Sequence, residues 1–134
     1  MEEEDMAGRQ ATARRPQATA RRPKVEAASD LVAREITIEP GGCTGWHYHR
    51  VPLIAVVKSG TLTRILHDGT VEVHHVGAGF VEPAGIRHVH LGRNLGKQPV
   101  VLHVTAALAE GDPFALPAEA PPGAMPCACP TRTR

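Results

Sequence analysis

Apolar and polar residues alternate with a period of two along the middle of the chain, the pattern of strands with one buried face. Residues 31–38 follow it and end at a Pro-Gly-Gly turn, whereas residues 53–57 are continuously apolar, which predicts a strand buried on both sides. Further strands are predicted at residues 61–66, 70–76, 80–82, 87–91 and 100–107. Glycine-containing turns separate these short segments and leave no room for crossover helices, so the pattern predicts an all-β sandwich or barrel.

The two ends of the chain differ from this middle part. Residues 1–27 begin with an acidic stretch and then repeat the unit Gln-Ala-Thr-Ala-Arg-Arg-Pro twice, at 10–16 and 17–23. Such a segment has no apolar face to offset its ordering entropy, so we expect a disordered N-terminal tail. Residues 111–134 are rich in Pro and Ala and are expected to form a C-terminal extension, which leaves one domain at residues 28–110. The acidic start and the lack of an apolar core segment argue against a signal peptide.

Composition narrows the classes of partner. The chain of 134 residues has a formal net charge of +1 and only 3% aromatic residues, so no base-stacking surface is expected and no specific nucleic-acid partner. No apolar stretch of about 18 residues exists, so no membrane partner is expected. Three cysteines do not suggest a disulfide framework, and we expect reduced thiols in a cytoplasmic protein. Cys127 and Cys129 could bind a soft metal or lie in a flexible tail.

Two histidines one residue apart carry the clearest chemical signal. His47 and His49 would point to the same side of a strand, where both could bind one ion. His88 follows a turn formed by Pro83 and Gly85 and could supply a third imidazole from a neighbouring strand. Neutral imidazole is a common ligand of transition metals, so the spacing predicts a metal site at His47, His49 and His88.

The spacing of these residues resembles the two sequence motifs of the cupin superfamily. The first motif is a glycine, five residues, His-x-His, three or four residues, a glutamate, six residues and a glycine; Gly41, His47, His49 and Gly60 stand at its positions. The second is a glycine, five residues, Pro-x-Gly, a histidine three residues on and an asparagine; Gly77, Pro83, Gly85 and His88 match it. The resemblance covers about residues 28–108.

The chain departs from the family pattern at two positions. Leu53 (or Ile54 under the longer spacing) stands where the family has its glutamate ligand, and Gly92 stands at the place of the closing asparagine, with Asn94 two residues further on. Glu82 is a candidate for the missing carboxylate ligand; the alternative is an outward-facing carboxylate that pairs with Arg87.

Three residues are candidates for catalytic roles. These residues are His90, Glu82 and Tyr48. His90 shares the face of His88 and could transfer protons, support a ligand or line a cavity. Tyr48 lies between the paired histidines on the opposite face, where it could pack in a core or place its hydroxyl at a rim.

The resemblance implies a fold and a range of functions. It implies a small, single-domain, type-2-like cupin, similar to conserved bacterial cupin domain proteins, with the jelly-roll barrel also called a double-stranded β-helix. It also implies a divalent transition metal, with Fe(II) favoured and Mn, Ni, Zn or Cu as alternatives. The function predicted is a metal-binding monocupin that acts on a small molecule, as a dioxygenase or by Lewis-acid isomerase or cyclase chemistry. The alternative is a non-catalytic cupin that binds a metal or small ligand.

Two structural expectations accompany this function. The barrel interior should offer an apolar pocket, for which the expected lining is Leu53, Ile54, Val56, Phe80 and Leu102. A barrel of this size gains stability by burying more surface, and cupins commonly pair, so a homodimer is expected.

Overall fold

The computed structural model describes residues 29–124 and 132–133. These described residues contain ten strands and one short 3₁₀ helix, at Ile86–His88. The strands are β1 (Ser29–Ile38), β2 (His47–Tyr48), β3 (Leu53–Ser59), β4 (Leu62–Leu66), β5 (Val71–His74), β6 (Gly79–Glu82), β7 (His90–Arg93), β8 (Val100–Ala109), β9 (Leu116–Pro117) and β10 (Arg132–Thr133). The tail expected at residues 1–27 lies outside the described residues, as do Cys127 and Cys129.

The strands form two five-stranded antiparallel sheets. The first has the order β10-β1-β8-β3-β6 and the second the order β5-β4-β7-β2-β9. The longest pairing joins β1 to β8 over ten residues, from Ser29 opposite Ala109 to Ile38 opposite Val100. Two sheets of this connectivity close around one interior, which confirms the predicted all-β jelly-roll barrel.

The inner faces of the two sheets form the main core. Strand β8 shows why, because every second residue from Val100 to Leu108 is buried while the residues between them are more exposed. Buried apolar side chains from both sheets meet in this cluster, namely Ile38, Leu53, Ala55, Val57, Leu62, Val100, Leu102, Val104, Ala106 and Leu108. Each large side chain of this kind contributes about 1.5–3 kcal/mol when fully buried, so this cluster holds the two sheets together.

Strand β3 is buried on one side rather than on both. Leu53, Ala55 and Val57 face the core, whereas Ile54 is 57% exposed and Val56 is 37% exposed. The expectation from the continuous apolar run is therefore wrong, because no layer among the described residues covers this side of the strand. Cross-strand pairing places these side chains on one surface, which we call the outer apolar face: Leu31, Ile54, Val56 and Val81.

The outer face of the second sheet is covered by the C-terminal extension. Buried Cys43, Trp46, Val89 and Leu91 form a second cluster, and Ala118, Ala120 and Ala124 pack against it. The extension also adds strand β9 to the edge of β2. Cys43 is fully buried in this cluster.

The strand predicted at residues 87–91 begins later than expected. Gly85 has a φ of +112° and is followed by the 3₁₀ helix, so extended structure starts only at His90. Any residue other than glycine would be strained at this φ. The shift by three residues decides which histidine of this segment reaches the interior.

Candidate metal centre

Four ionisable side chains converge inside the barrel: His47, His49, Glu82 and His90. Each offers one donor atom, and these four atoms all lie within 4.8 Å of one another. His47 on β2 and His90 on β7 are direct cross-strand partners, with ring centroids 4.4 Å apart. His49 follows β2 and shares the inward side of His47, so two strands of the second sheet and β6 of the first build the cluster.

Backbone carbonyls fix the orientation of all three imidazole rings. The Nδ1 of His47 lies 2.9 Å from the Gly45 oxygen, that of His49 lies 2.9 Å from the Phe114 oxygen, and that of His90 lies 2.7 Å from the His88 oxygen. A carbonyl oxygen only accepts hydrogen bonds, so each Nδ1 carries a proton and donates it. In the neutral ring the Nε2 atom then keeps its lone pair, which is the arrangement that metal-binding histidines use.

One oxygen of Glu82 lies close to the Nε2 atoms of two of these histidines. Glu82 Oε1 lies 3.0 Å from His49 Nε2 and 3.1 Å from His90 Nε2. The first contact is a hydrogen bond, in which a protonated His49 Nε2 donates to the carboxylate, whereas His90 Nε2 is buried without a hydrogen-bond partner despite its short distance. A lone pair that faces a carboxylate oxygen is unfavourable unless a cation lies between them, so these donors fit a bound metal ion.

The metal-free site has an unusual charge distribution. Burial, with the help of the nearby His90, lowers the pKa of His47 from 6.5 to about 4, so this ring is neutral near pH 7. Burial alone would lower the pKa of His49 as well, but its hydrogen bonds to Glu82 and to the Phe114 carbonyl raise it. Burial would raise the pKa of Glu82, yet its contacts with His49 and His90 outweigh burial and hold the pKa of this carboxyl well below its usual range.

A buried arginine forms an ion pair, but no hydrogen bond, with the second oxygen of Glu82. Arg64 Nε lies 3.3 Å from Glu82 Oε2, and Arg64 Nη1 donates a hydrogen bond of 2.7 Å to Glu72 Oε1. The guanidinium carbon lies 4.4 Å from the centre of the Phe80 ring, which also packs against His74. Because Arg64 lies on the second sheet and Glu82 on the first, this ion pair connects the two sheets beside the cluster and leaves Oε1 of Glu82 for the histidines.

The cluster forms the polar part of a cavity of about 480 Å³. The rest of the lining is largely apolar and includes Ile36, Leu53, Ala55, Leu62, Phe80, Leu102, Val104 and Phe114. Three of the predicted lining residues are therefore in place, whereas Ile54 and Val56 point outward. Tyr48 is not among the lining residues and packs in the cluster on the outer face of the second sheet. Such a volume, with few polar groups at one place, is typical of small-molecule sites.

The structure does not bring His88 to the cluster. It lies in the 3₁₀ helix, is partly exposed, and makes an edge contact with the ring of His67, whereas His90 takes the inward position beside His47. The sequence held a signal for this arrangement, because His90 and Asn94 keep the family spacing of histidine, three residues and asparagine. Two extra residues after Gly85 displace both of them together. Asn94 is buried, and its amide nitrogen donates to the carbonyls of Ile38 and Gln98.

Glu82 lies where it can replace the carboxylate absent at Leu53. Leu53 on β3 and Glu82 on β6 are directly opposite each other in the antiparallel pairing. Directly opposite residues project from the same face of a sheet, with Cβ atoms about 4.5–5.5 Å apart. A carboxylate therefore reaches the cluster from the neighbouring strand, and the alternative in which Glu82 faces outward and pairs with Arg87 does not agree with its burial.

The fold and this cluster together define a jelly-roll barrel with a histidine and carboxylate site in its cavity. The family model described as "Cupin domain" matches residues 34–106, more than half of the chain. The chain belongs to the cupin family. A comparison with curated protein sequences gives no match.

Solved structures of similar fold include proteins with different activities. The polyketide cyclase RemF from Streptomyces resistomycificus is similar with a TM-score of 0.57 and 23% identity, over 72% of this chain and 67% of that one. A conserved double-stranded β-helix protein from Klebsiella pneumoniae has a TM-score of 0.55 and 24% identity, over 78% and 90% of the two chains. The DMSP lyase DddQ from Ruegeria pomeroyi has a TM-score of 0.56 and 17% identity over 66% of this chain, which spans only 43% of that lyase. Identities this low show the shared fold alone.

The part of the chain that the structure describes contains no helix long and apolar enough to cross a membrane.

Proposed function

We propose that this protein is a metal-dependent enzyme that acts on a small molecule, with His47, His49, His90 and Glu82 as the ligands of one divalent transition ion. The observation that supports the proposal best is the set of three imidazoles whose Nδ1 atoms are bound to carbonyls and which, with Glu82, offer four donor atoms within 4.8 Å of one another. His90 replaces His88 in the ligand set expected from the sequence.

The donor set suits several metals. Imidazole binds Fe, Zn, Cu and Ni, and a carboxylate adds the harder donor that Fe(II) and Mn(II) accept. Fe(II) is the favoured ion, with Mn, Ni, Zn or Cu as alternatives. When bound, the ion would supply Lewis-acid chemistry to an oxygen donor of the substrate or, as Fe(II), one-electron chemistry with dioxygen.

The residues around the cluster support a mainly apolar substrate with oxygen donors at one end. The aliphatic and aromatic lining would hold the apolar part and exclude water, while the cluster would receive the oxygen donors. Glu82 and Arg64 would set the charge near the reacting group. Oxidative cleavage is the favoured reaction and isomerisation or cyclisation the alternative; the similar structures include a polyketide cyclase and a lyase.

A non-catalytic cupin that binds a metal or a small ligand remains the second candidate function. The absence of a carboxylate at Leu53 favoured this alternative at the level of the sequence. Glu82 in the cluster weakens it, because a complete donor set accompanies a cavity large enough for a substrate.

Measuring the metal content tests whether the protein binds a metal ion at all, as the proposed enzyme requires. Untagged protein should contain about one transition ion per chain by mass spectrometry, and His47→Ala and His90→Ala should lose it while His88→Ala retains it. Protein that binds no ion after reconstitution with Fe(II), Mn(II), Ni(II) and Zn(II) would contradict the proposal. Oxygen uptake by the Fe(II) form in the presence of candidate substrates then distinguishes an oxygenase from a binding protein.

The outer apolar face supports a homodimer. Four exposed apolar side chains lie on the outer side of the first sheet, and removing such a surface from water favours association. Wild-type protein should elute as a dimer, and Ile54→Asp should elute as a monomer with unchanged circular dichroism. Light scattering that gives a monomer for wild type at micromolar concentration would refute this part of the proposal.

A further inference from the structure

Residues Phe114 to Ala118, which we call the C-terminal strap, lie beyond the residues matched by the family model, yet they line the cavity. We infer that the C-terminal strap is a positioning element of the metal centre, which orients His49 through the Phe114 carbonyl and holds the strand that carries His47. This inference rests on the proposed function, because it concerns the same four ligands.

The contact with His49 is direct. The Phe114 oxygen accepts the Nδ1 proton of His49 at 2.9 Å, and the two rings are in edge contact with centroids 6.2 Å apart. The strap thus determines which nitrogen of His49 faces Glu82. Partners of this kind fix the tautomer and direction of a ligand, and their loss typically weakens metal affinity by about 10–100-fold.

The strap also supports the strand that carries His47. Strand β2 has only two residues, and β9 pairs with it at His47 opposite Pro117 and Tyr48 opposite Leu116. The Ala118 amide donates a hydrogen bond of 3.0 Å to the Trp46 carbonyl, just before His47. On its other side β2 pairs with β7 at a single position, His47 opposite His90, so β9 provides much of the support for this short strand.

Contacts outside the cluster keep the strap in place. The guanidinium carbon of Arg34 lies 5.5 Å from the centre of the Phe114 ring, a cation–π distance. The strap can therefore be loosened without altering any of the four proposed ligands.

Three variants of the full chain test the inference. Ala118→Pro removes the amide that bonds to Trp46, and Ala118→Ser is its matched control because it keeps that amide. Phe114→Ala removes the ring that packs against His49 and Arg34. We expect Ala118→Pro and Phe114→Ala to raise the dissociation constant for Co(II) by about 10–100-fold, and Ala118→Ser by less than about threefold.

Two further measurements separate positioning from a general loss of stability. Imidazole nitrogen NMR on the metal-free protein should show a His49 Nδ1 proton that is protected from exchange with water in wild type and in Ala118→Ser. In Ala118→Pro and Phe114→Ala this proton should exchange faster, at a temperature where circular dichroism shows all variants folded. Unchanged Co(II) affinity and unchanged protection of the His49 Nδ1 proton in both disruptive variants would overturn the inference. Wild-type protein that fails to bind Co(II) would refute the proposed function, whereas the exchange measurement would still decide the role of the strap.

Discussion

The carboxylate of the proposed centre can be moved back to the strand on which the family carries it. Leu53 and Glu82 are direct cross-strand partners, so Glu82→Leu deletes the carboxylate and Leu53→Glu together with Glu82→Leu returns it on β3. The new carboxylate starts from a Cβ only about 4.5–5.5 Å from the original one and on the same face, so a change of rotamer can bring an oxygen to the same place.

The size of the effect follows from the contacts of Glu82. Its Oε1 lies 3.0 and 3.1 Å from two proposed ligand nitrogens, so its loss should cost more than the loss of an outer partner, that is, more than about 100-fold in metal affinity. With metal in excess, a 100-fold weaker binding constant removes about 2.7 kcal/mol of metal-dependent stabilisation. For a domain of this size that corresponds to a fall in melting temperature of about 10–20 °C. The double variant should recover affinity to within about tenfold of wild type.

Competition with a coloured chelator gives the Co(II) affinity, and thermal unfolding with and without metal gives the stabilisation. Glu35→Leu is the matched control, because it makes the same chemical change at an exposed pair on the outer face and should leave Co(II) affinity unchanged. Glu82→Leu with wild-type affinity would refute the assignment of Glu82 as a ligand. A double variant that folds but binds no better than Glu82→Leu would refute the argument from cross-strand position.

Three further predictions concern the same interior. Arg64→Met should destabilise the metal-free protein by about 3–5 kcal/mol in urea unfolding, because Glu82 would lose a buried ionic partner, and an effect below about 1 kcal/mol would contradict this. In metal-free protein the pKa of His47 is lower in the folded state, at about 4, than its ordinary 6.5, so the unfolded chain binds more protons between these values. This histidine should therefore cost about 3 kcal/mol of stability as the pH falls from 6.5 to 4, and the acid-dependent loss should be smaller in His47→Gln, measured by urea unfolding across that range. Gly60→Ala should destabilise the barrel, since Gly60 has a φ of +76° and an added Cβ would lie 2.5 Å from the Pro99 oxygen; an unchanged melting temperature would contradict this close approach.

Most of the barrel could be predicted from the sequence because its signals are local. The alternation in residues 100–107 directly reflects the one buried face of β8. The side of β3 that stays exposed could not be predicted in this way. The apolar run shows only that Ile54 and Val56 are hydrophobic. Whether another part of the protein covers them depends on tertiary packing, which a local sequence pattern does not reveal.

The sequence predicts the cluster in part, for the same reason. The shared face of His47 and His49 depends only on the alternation within one strand, and Glu82 is a candidate because a carboxylate beside Val81 is unusual in a core strand. Counting from Gly85 favours His88 over His90, because it assumes a turn of fixed length. The 3₁₀ helix lengthens this turn by two residues, so His90 and not His88 pairs with His47. The register between β2 and β7 determines this pairing, and the sequence motif does not show it.

The adjacency of Leu53 and Glu82 also bears on how such a centre can change over evolutionary time. A chain with glutamate at both positions would present two carboxylates to one divalent cation, which can neutralise both, so such an ancestor would keep its ion while either carboxylate became dispensable. A ligand can therefore migrate between neighbouring strands through forms that all bind metal. Related barrels that lack the usual glutamate in an alignment should be examined at the cross-strand position before they are classed as metal-free.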